Sequence, residues 1–172
     1  MKTALLRTWT ALRTVPALPY WALAALLLML FVHVTGLLGL MTGFLKFEPV
    51  SGPIALRIVL ITPFIPALAE ETLFRGYLPN RAQTSRPRLW IAVSTAIFVA
   101  WHGVLTLILP GAGPIFLRPD FLATSACLGV VCATLRMRSG SIWPGVVVHW
   151  IVVAGWLMVL GGPSPGVLMG RP

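Results

Sequence analysis

Two adjacent carboxylates, Glu70 and Glu71, close a long apolar run in AEETLFRGY, residues 69–77. The chain carries only four acidic residues among 172, and half of them stand here. Arg75 follows Glu71 at i+4 with the acid first, the favourable order for an ion pair along a helix. Glu70 lies about 100° round the helix from Glu71, at roughly 3.6 residues per turn, and so points elsewhere. One acid is therefore expected to be neutralised within its own helix, and its neighbour to be left without a local partner. Ionisable groups inside a membrane span are costly and mark function by default. His102 stands in FVAWHG (98–103), with Phe98 one turn earlier on the same face, and His149 stands in WPGVVVHW (143–150).

A carboxylate with two imidazoles allows two chemistries. In the first, Glu70 acts as general base on a water, one His holds that water, and the other stabilises the developing oxyanion. In the second, Glu70, His102 and His149 ligate a zinc ion and leave one position open for water. Composition does not separate the two, although the HExxH spacing of common zinc proteases is absent. His33 lies in a span without patterned neighbours and is expected to be a packed, hydrogen-bonded core residue.

The elements that must position these groups follow from composition. The chain is 58% hydrophobic and only 10% charged, with a mean hydropathy of +0.91. A soluble domain is about a quarter charged. Uncharged runs cover 17–45, 58–69, 89–117, 121–135 and 141–169. Since a bilayer core takes about 20 apolar residues in a helix, these runs predict an all-α polytopic membrane bundle. About five spans are expected, near 20–42, 54–77, 89–109, 121–136 and 142–160, the fourth short for a crossing. They form a single membrane domain over 1–172, with the motif-bearing core at about 54–160. A membrane β-barrel is disfavoured because its strands alternate polar and apolar residues.

The net charge of +9 would suggest nucleic acid in a soluble protein. Here the basic residues flank the spans, so no nucleic-acid partner is expected. Lys2, Arg7, Arg13, Arg75, Arg81, Arg86, Arg88, Arg136 and Arg138 fall in alternate segments, and Lys46, Arg57, Arg118 and Arg171 in the others. The positive-inside rule then puts the N-terminus in the cytoplasm and the C-terminus outside, as in a bacterial inner membrane. The first run is too long for a cleavable signal. Cys127 and Cys132 read as free thiols, with neither a disulfide nor a zinc site. Pro63 and Pro66 interrupt the second span and are expected to free the carbonyls of Val59 and Thr62, one to two turns before Glu70. Gly39 and Gly43 form a small-xxx-small pattern that lets helices approach closely. The tail after residue 160 reads as loose, and oligomeric state leaves no signal.

Three of these segments, taken together, resemble the motifs of the CAAX-protease and bacteriocin-processing family of membrane endopeptidases. EETLFR (70–75) is similar to its EExxxR motif and FVAWH (98–102) to its FxxxH motif. LRMRSGSIWPGVVVH (135–149) is similar to the stretch in which a turn precedes a helix bearing His. Order and spacing agree over about residues 60–155. The resemblance implies a glutamate-dependent, metal-independent intramembrane peptidase with no cofactor. Glu70 would activate water together with His102, and His149 would contribute to the oxyanion hole. Glu71, Arg75 and Phe98 would support the site. The expected partners are the lipid bilayer and a membrane-anchored or lipidated peptide or protein, such as one bearing a C-terminal sorting tail.

One departure stands out. The family's third motif usually continues as HxxxN or HxxxD, whereas this chain has Val153. Valine cannot donate a hydrogen bond, and losing one oxyanion donor costs about 10²–10³ in rate. A non-catalytic immunity or scaffolding protein is therefore the alternative class. A transporter fits less well, because the chain is small, lacks inverted repeats and gathers its ionisable residues on one side of the membrane.

Overall fold

The computed structural model describes residues 2–164 and Val167. Among these residues the chain is helical, with one isolated β-bridge between Glu48 and Leu160. Helix α1 covers Lys2–Arg13, α2 Leu18–Met41, α3 Gly52–Ile61 and α4 Ala69–Arg75. Helix α5 covers Pro87–Ile108, α6 Gly113–Phe116, α7 Pro119–Ser139 and α8 Trp143–Val159. Four described stretches are long and apolar enough to cross a membrane: α2, the segment Gly52–Arg75, α5 and α7. Helix α8 is apolar but shorter, at 17 residues.

Punctuation in the sequence explains the boundaries. Proline stands at the first or second position of α2, α3, α5, α7 and α8. There its missing N–H has no helical partner to lose and its fixed φ suits the helix. Helix α7 adds Asp120 in its first turn and Arg136 and Arg138 in its last, so both ends match the helix dipole. It stops at Gly140, which adopts a left-handed φ of 73° that favours glycine.

Helix α7 lies at the centre, packed against α2, α5 and α8. Ala24 and Phe31 of α2 meet Leu128, Cys132 and Leu135 of α7 and Val148 of α8 in one core cluster. At one end of the bundle, α1 docks on α4 and on the turn before α8. At the other end, residues 46–50 run beside the close of α8, with Lys46 N–H, Glu48 N–H and Val50 N–H donating to the carbonyls of Leu160, Val159 and Met158.

Several expectations need correction. The fourth span is not short: α7 has 21 residues, because Pro119 and Asp120 open it before the apolar run and Arg136 and Arg138 continue it. His33 is exposed on α2 and not packed in the core, with its Nδ1–H donating to the Met29 carbonyl at 2.7 Å. The atoms nearest Gly39 belong to the Leu45 side chain returning from the turn, and Gly43 supplies a left-handed residue (φ 67°) that ends α2. The segment around Lys2, Arg7 and Arg13 is a helix, where only a charged flank was expected. Arg171 and most of the tail lie outside the described residues. Cys127 and Cys132 are free thiols.

Candidate active site

The second span is built in two pieces. Helix α3 ends at Ile61, and Pro63–Leu68 winds in a wider turn with Ile65 extended at φ −132° and ψ 112°. Pro66 removes the N–H that the Thr62 carbonyl would have received. That carbonyl is not freed as expected, because the Ala67 N–H one residue later donates to it at 3.1 Å. The wide turn thus re-bonds the Thr62 carbonyl and re-aims the chain, so that α4 starts afresh at Ala69 with both acids in its first turn.

Glu71 and Arg75 form the expected i,i+4 pair, with Arg75 Nη1 donating to Glu71 Oε1 at 3.2 Å. Both side chains are almost wholly buried, at 1% and 0% exposure. Desolvation of such a pair costs several kcal/mol per ion, so further contacts must offset it. Three are present. The Arg75 guanidinium stacks over the Phe98 ring at 4.0 Å, a contact contributing about 2 kcal/mol when desolvated. Gly129 leaves room for Arg75, since a Cβ there would stand 3.2 Å from Nη2. His149 Nδ1–H donates to Glu71 Oε1 at 2.9 Å. Gly145 of the WPG turn serves Glu71 in the same way, because a Cβ at that position would lie 3.2 Å from Oε2. Beside it, Cys132 Sγ–H donates to the Gly145 carbonyl at 3.6 Å.

Glu70 points away from Arg75, as its helical phase requires, but it is not alone. The indole Nε1–H of Trp101 donates to its Oε1 at 3.2 Å. His149 Nε2 lies 3.7 Å from its Oε2. One imidazole therefore spans both acids, tied to Glu71 through Nδ1 and facing Glu70 through Nε2. The carboxylate of Glu70 keeps a little exposure, 12%.

His102 is held differently. Its Nδ1–H donates to the Phe98 carbonyl at 3.0 Å, which leaves Nε2 as its free nitrogen. Phe98, Phe116 and Phe121 enclose the ring edge-on, at centroid distances of 4.9, 5.6 and 5.0 Å. Phe98 also meets His149 edge-on at 5.8 Å, so this one ring separates and orients the two imidazoles. Contact between His102 and the acids thus runs through Phe98 and the neighbouring Trp101, not through a hydrogen bond. Phe44 and Trp156 extend the aromatic wall from Phe121 toward the end of the bundle remote from α1. Cavities of about 500 and 250 Å³ lie at that remote end, around Thr42, Arg118 and Asp120 and around Phe44, Lys46 and Trp156. Neither is lined by Glu70, His102 or His149. Among the described residues, no three of His, Cys, Asp and Glu are grouped to hold a metal ion.

Sequence reasoning missed Trp101, Gly129 and Gly145. Trp101 had a readable signal, an indole donor directly beside the motif histidine. The glycines had none, because their value lies in which buried charge approaches them.

A helical membrane bundle with a buried Glu–Arg pair, a second acid and two imidazoles defines a class of membrane-embedded acid–imidazole proteins. Comparison with protein families matches residues 52–155 to the family described as Type II CAAX prenyl endopeptidase Rce1-like, and the chain belongs to that family. Its activity at family level is that of an intramembrane CAAX-type protease. No match is found among curated proteins or among solved structures.

Proposed function

We propose that this protein is a metal-independent endopeptidase that cuts a membrane-anchored or lipidated peptide with a water activated by Glu70. The observation that carries the proposal is the placement of His149, 2.9 Å from Glu71 and 3.7 Å from Glu70. Because Nδ1–H is committed to Glu71, only Nε2 can respond to events at Glu70. The gap of 3.7 Å exceeds a direct hydrogen bond, and a water beside it can bond to both groups.

In this reading the water oxygen attacks the scissile carbonyl carbon while Glu70 takes one of its protons. His102 accepts a hydrogen bond at Nε2 from the remaining O–H, whose hydrogen stays with the carboxyl product. His149, held by Glu71 through Nδ1, faces the developing oxyanion with Nε2 and stabilises it. The C–N bond then breaks, and Glu70 returns its proton to the leaving amine. Trp101 holds the Glu70 carboxylate in register throughout. Leu73 lies one turn after Glu70 on α4, and Ile97 and Val104 lie one turn either side of Trp101 on α5; all three are exposed, which suits a substrate arriving sideways from lipid. The basic residues gathered toward α1 favour a cytoplasmic position for that end under the positive-inside rule, and a bacterial inner membrane fits this orientation.

A test is cleavage of a lipidated fluorogenic peptide by the purified chain in liposomes, with and without phenanthroline. Turnover that survives the chelator is expected; inhibition reversed by added zinc would sink metal independence. Val153 favours a second reading, a family member that binds such peptides without turning them over. Binding without any cleavage across a panel of lipidated peptides would establish it.

A further inference from the structure

Helix α1 precedes the residues matched to the family, and the mechanism does not use it. Its inner side is fixed to the bundle. Ala11 is fully buried with Ala67, Ile142 and Val146. The Ile142 N–H donates to the Ala11 carbonyl at 3.3 Å, and Trp143 Nε1–H donates to the Leu12 carbonyl at 2.9 Å. Thr8 packs so closely on Gly76 that a Cβ there would lie 2.8 Å from its methyl. The opposite side carries Leu5, Leu6 and Trp9, exposed at 66%, 65% and 55%. At about 100° per residue, Lys2 and Arg13 fall on the same arc as these three. Arg13 stacks its guanidinium over the Trp9 ring at 4.0 Å.

The level of α1 follows from α2. Helix α2 has 24 residues and so runs about 36 Å, slightly more than the hydrocarbon core. Its first residue, Leu18, is separated from Arg13 by only four residues. The helix therefore lies where the membrane surface must be. A face that mixes leucine, tryptophan, lysine and arginine suits the boundary between acyl chains and anionic headgroups.

We infer that α1 lies in the membrane plane and seats its Lys2, Leu5, Leu6, Trp9 and Arg13 face on anionic phospholipid. This surface recruits negatively charged lipid to the bundle end that buttresses α4 and the turn before α8.

The experiment uses the full chain in liposomes of phosphatidylcholine, with or without phosphatidylglycerol. A nitroxide is placed at Leu6→Cys in a Cys127→Ser background; Cys132 is buried. Its collision rates with oxygen and with a water-soluble nickel chelate are then measured. With phosphatidylglycerol, high oxygen and low nickel access are expected. High salt should reverse this without any mutation. Lys2→Gln and Arg13→Gln, both at exposed sites, should each shift the seated population about fivefold. Three results overturn the inference: nickel access that stays high in both lipid mixtures, seating that is identical without phosphatidylglycerol, or a label shielded from both probes. The last would mark a protein partner or a second copy of the chain. The readout does not involve peptide cleavage, so it stands apart from the proposed activity.

Discussion

His149 donates from Nδ1 to Glu71 Oε1 over 2.9 Å, on the same oxygen that receives Arg75 at 3.2 Å. One buried carboxylate oxygen thus locks α8 to α4 and fixes which face of the imidazole looks at Glu70. The second acid of the pair acts as the anchor of a histidine as well as the partner of an arginine.

Removing Arg75 should leave Glu71 charged and poorly compensated in the bundle. Arg75→Ala is expected to destabilise the protein by about 3–5 kcal/mol. Thermal unfolding in detergent measures this. A variant as stable as the parent yet inactive would contradict a structural pair.

Gly145→Ala tests the close approach to Glu71. The added methyl would stand 3.2 Å from Oε2, and overpacking of this kind costs about 1–3 kcal/mol. Both stability and turnover should fall, because the shift moves Glu71 and with it His149. Wild-type behaviour in both assays would show that the α4–α8 contact is looser than described.

Trp101→Phe keeps the ring and deletes the donor to Glu70. A hydrogen bond to a charged group contributes about 1.5–3 kcal/mol, so kcat should drop roughly ten- to hundredfold. The KM should stay near its wild-type value, since in the proposed mechanism Trp101 positions the base and not the peptide. An unchanged kcat would remove Trp101 from the site.

Much of this arrangement was legible in the sequence, and its limits are physical. Helical phase alone separated Glu70 from Glu71 and paired the latter with Arg75, because i,i+4 geometry is local. Uncharged runs located α2, α5, α7 and α8 to within about three residues at each end. The partner of Glu70 was not legible: Trp101 lies 31 residues away, on a helix whose rotation is set by packing against α7. The Thr62 carbonyl misled for a related reason. Loss of one N–H at Pro66 was readable, but the shift of the bond to Ala67 depends on how the wide turn closes. His33 looked like core because it lies in an apolar span without patterned neighbours, yet in lipid an apolar surface is also the outside of the bundle.

Val153 lies one turn beyond His149 and is half-buried. Val153→Asn supplies a side-chain donor one turn beyond His149. An increase in kcat toward the roughly 10²-fold worth of one oxyanion donor is expected. A rate equal to the parent's would show that another group already fills that role.

The most direct test of a Glu70-activated water is single-turnover cleavage of a lipidated peptide in liposomes by Glu70→Gln beside the parent chain. Glutamine keeps the size of the side chain and an oxygen able to accept from Trp101, but it cannot take a proton from water. Expected is a variant that unfolds at the parent's temperature, binds the peptide and cuts no bond. Cleavage at a rate near the parent's would contradict the role of Glu70 as base.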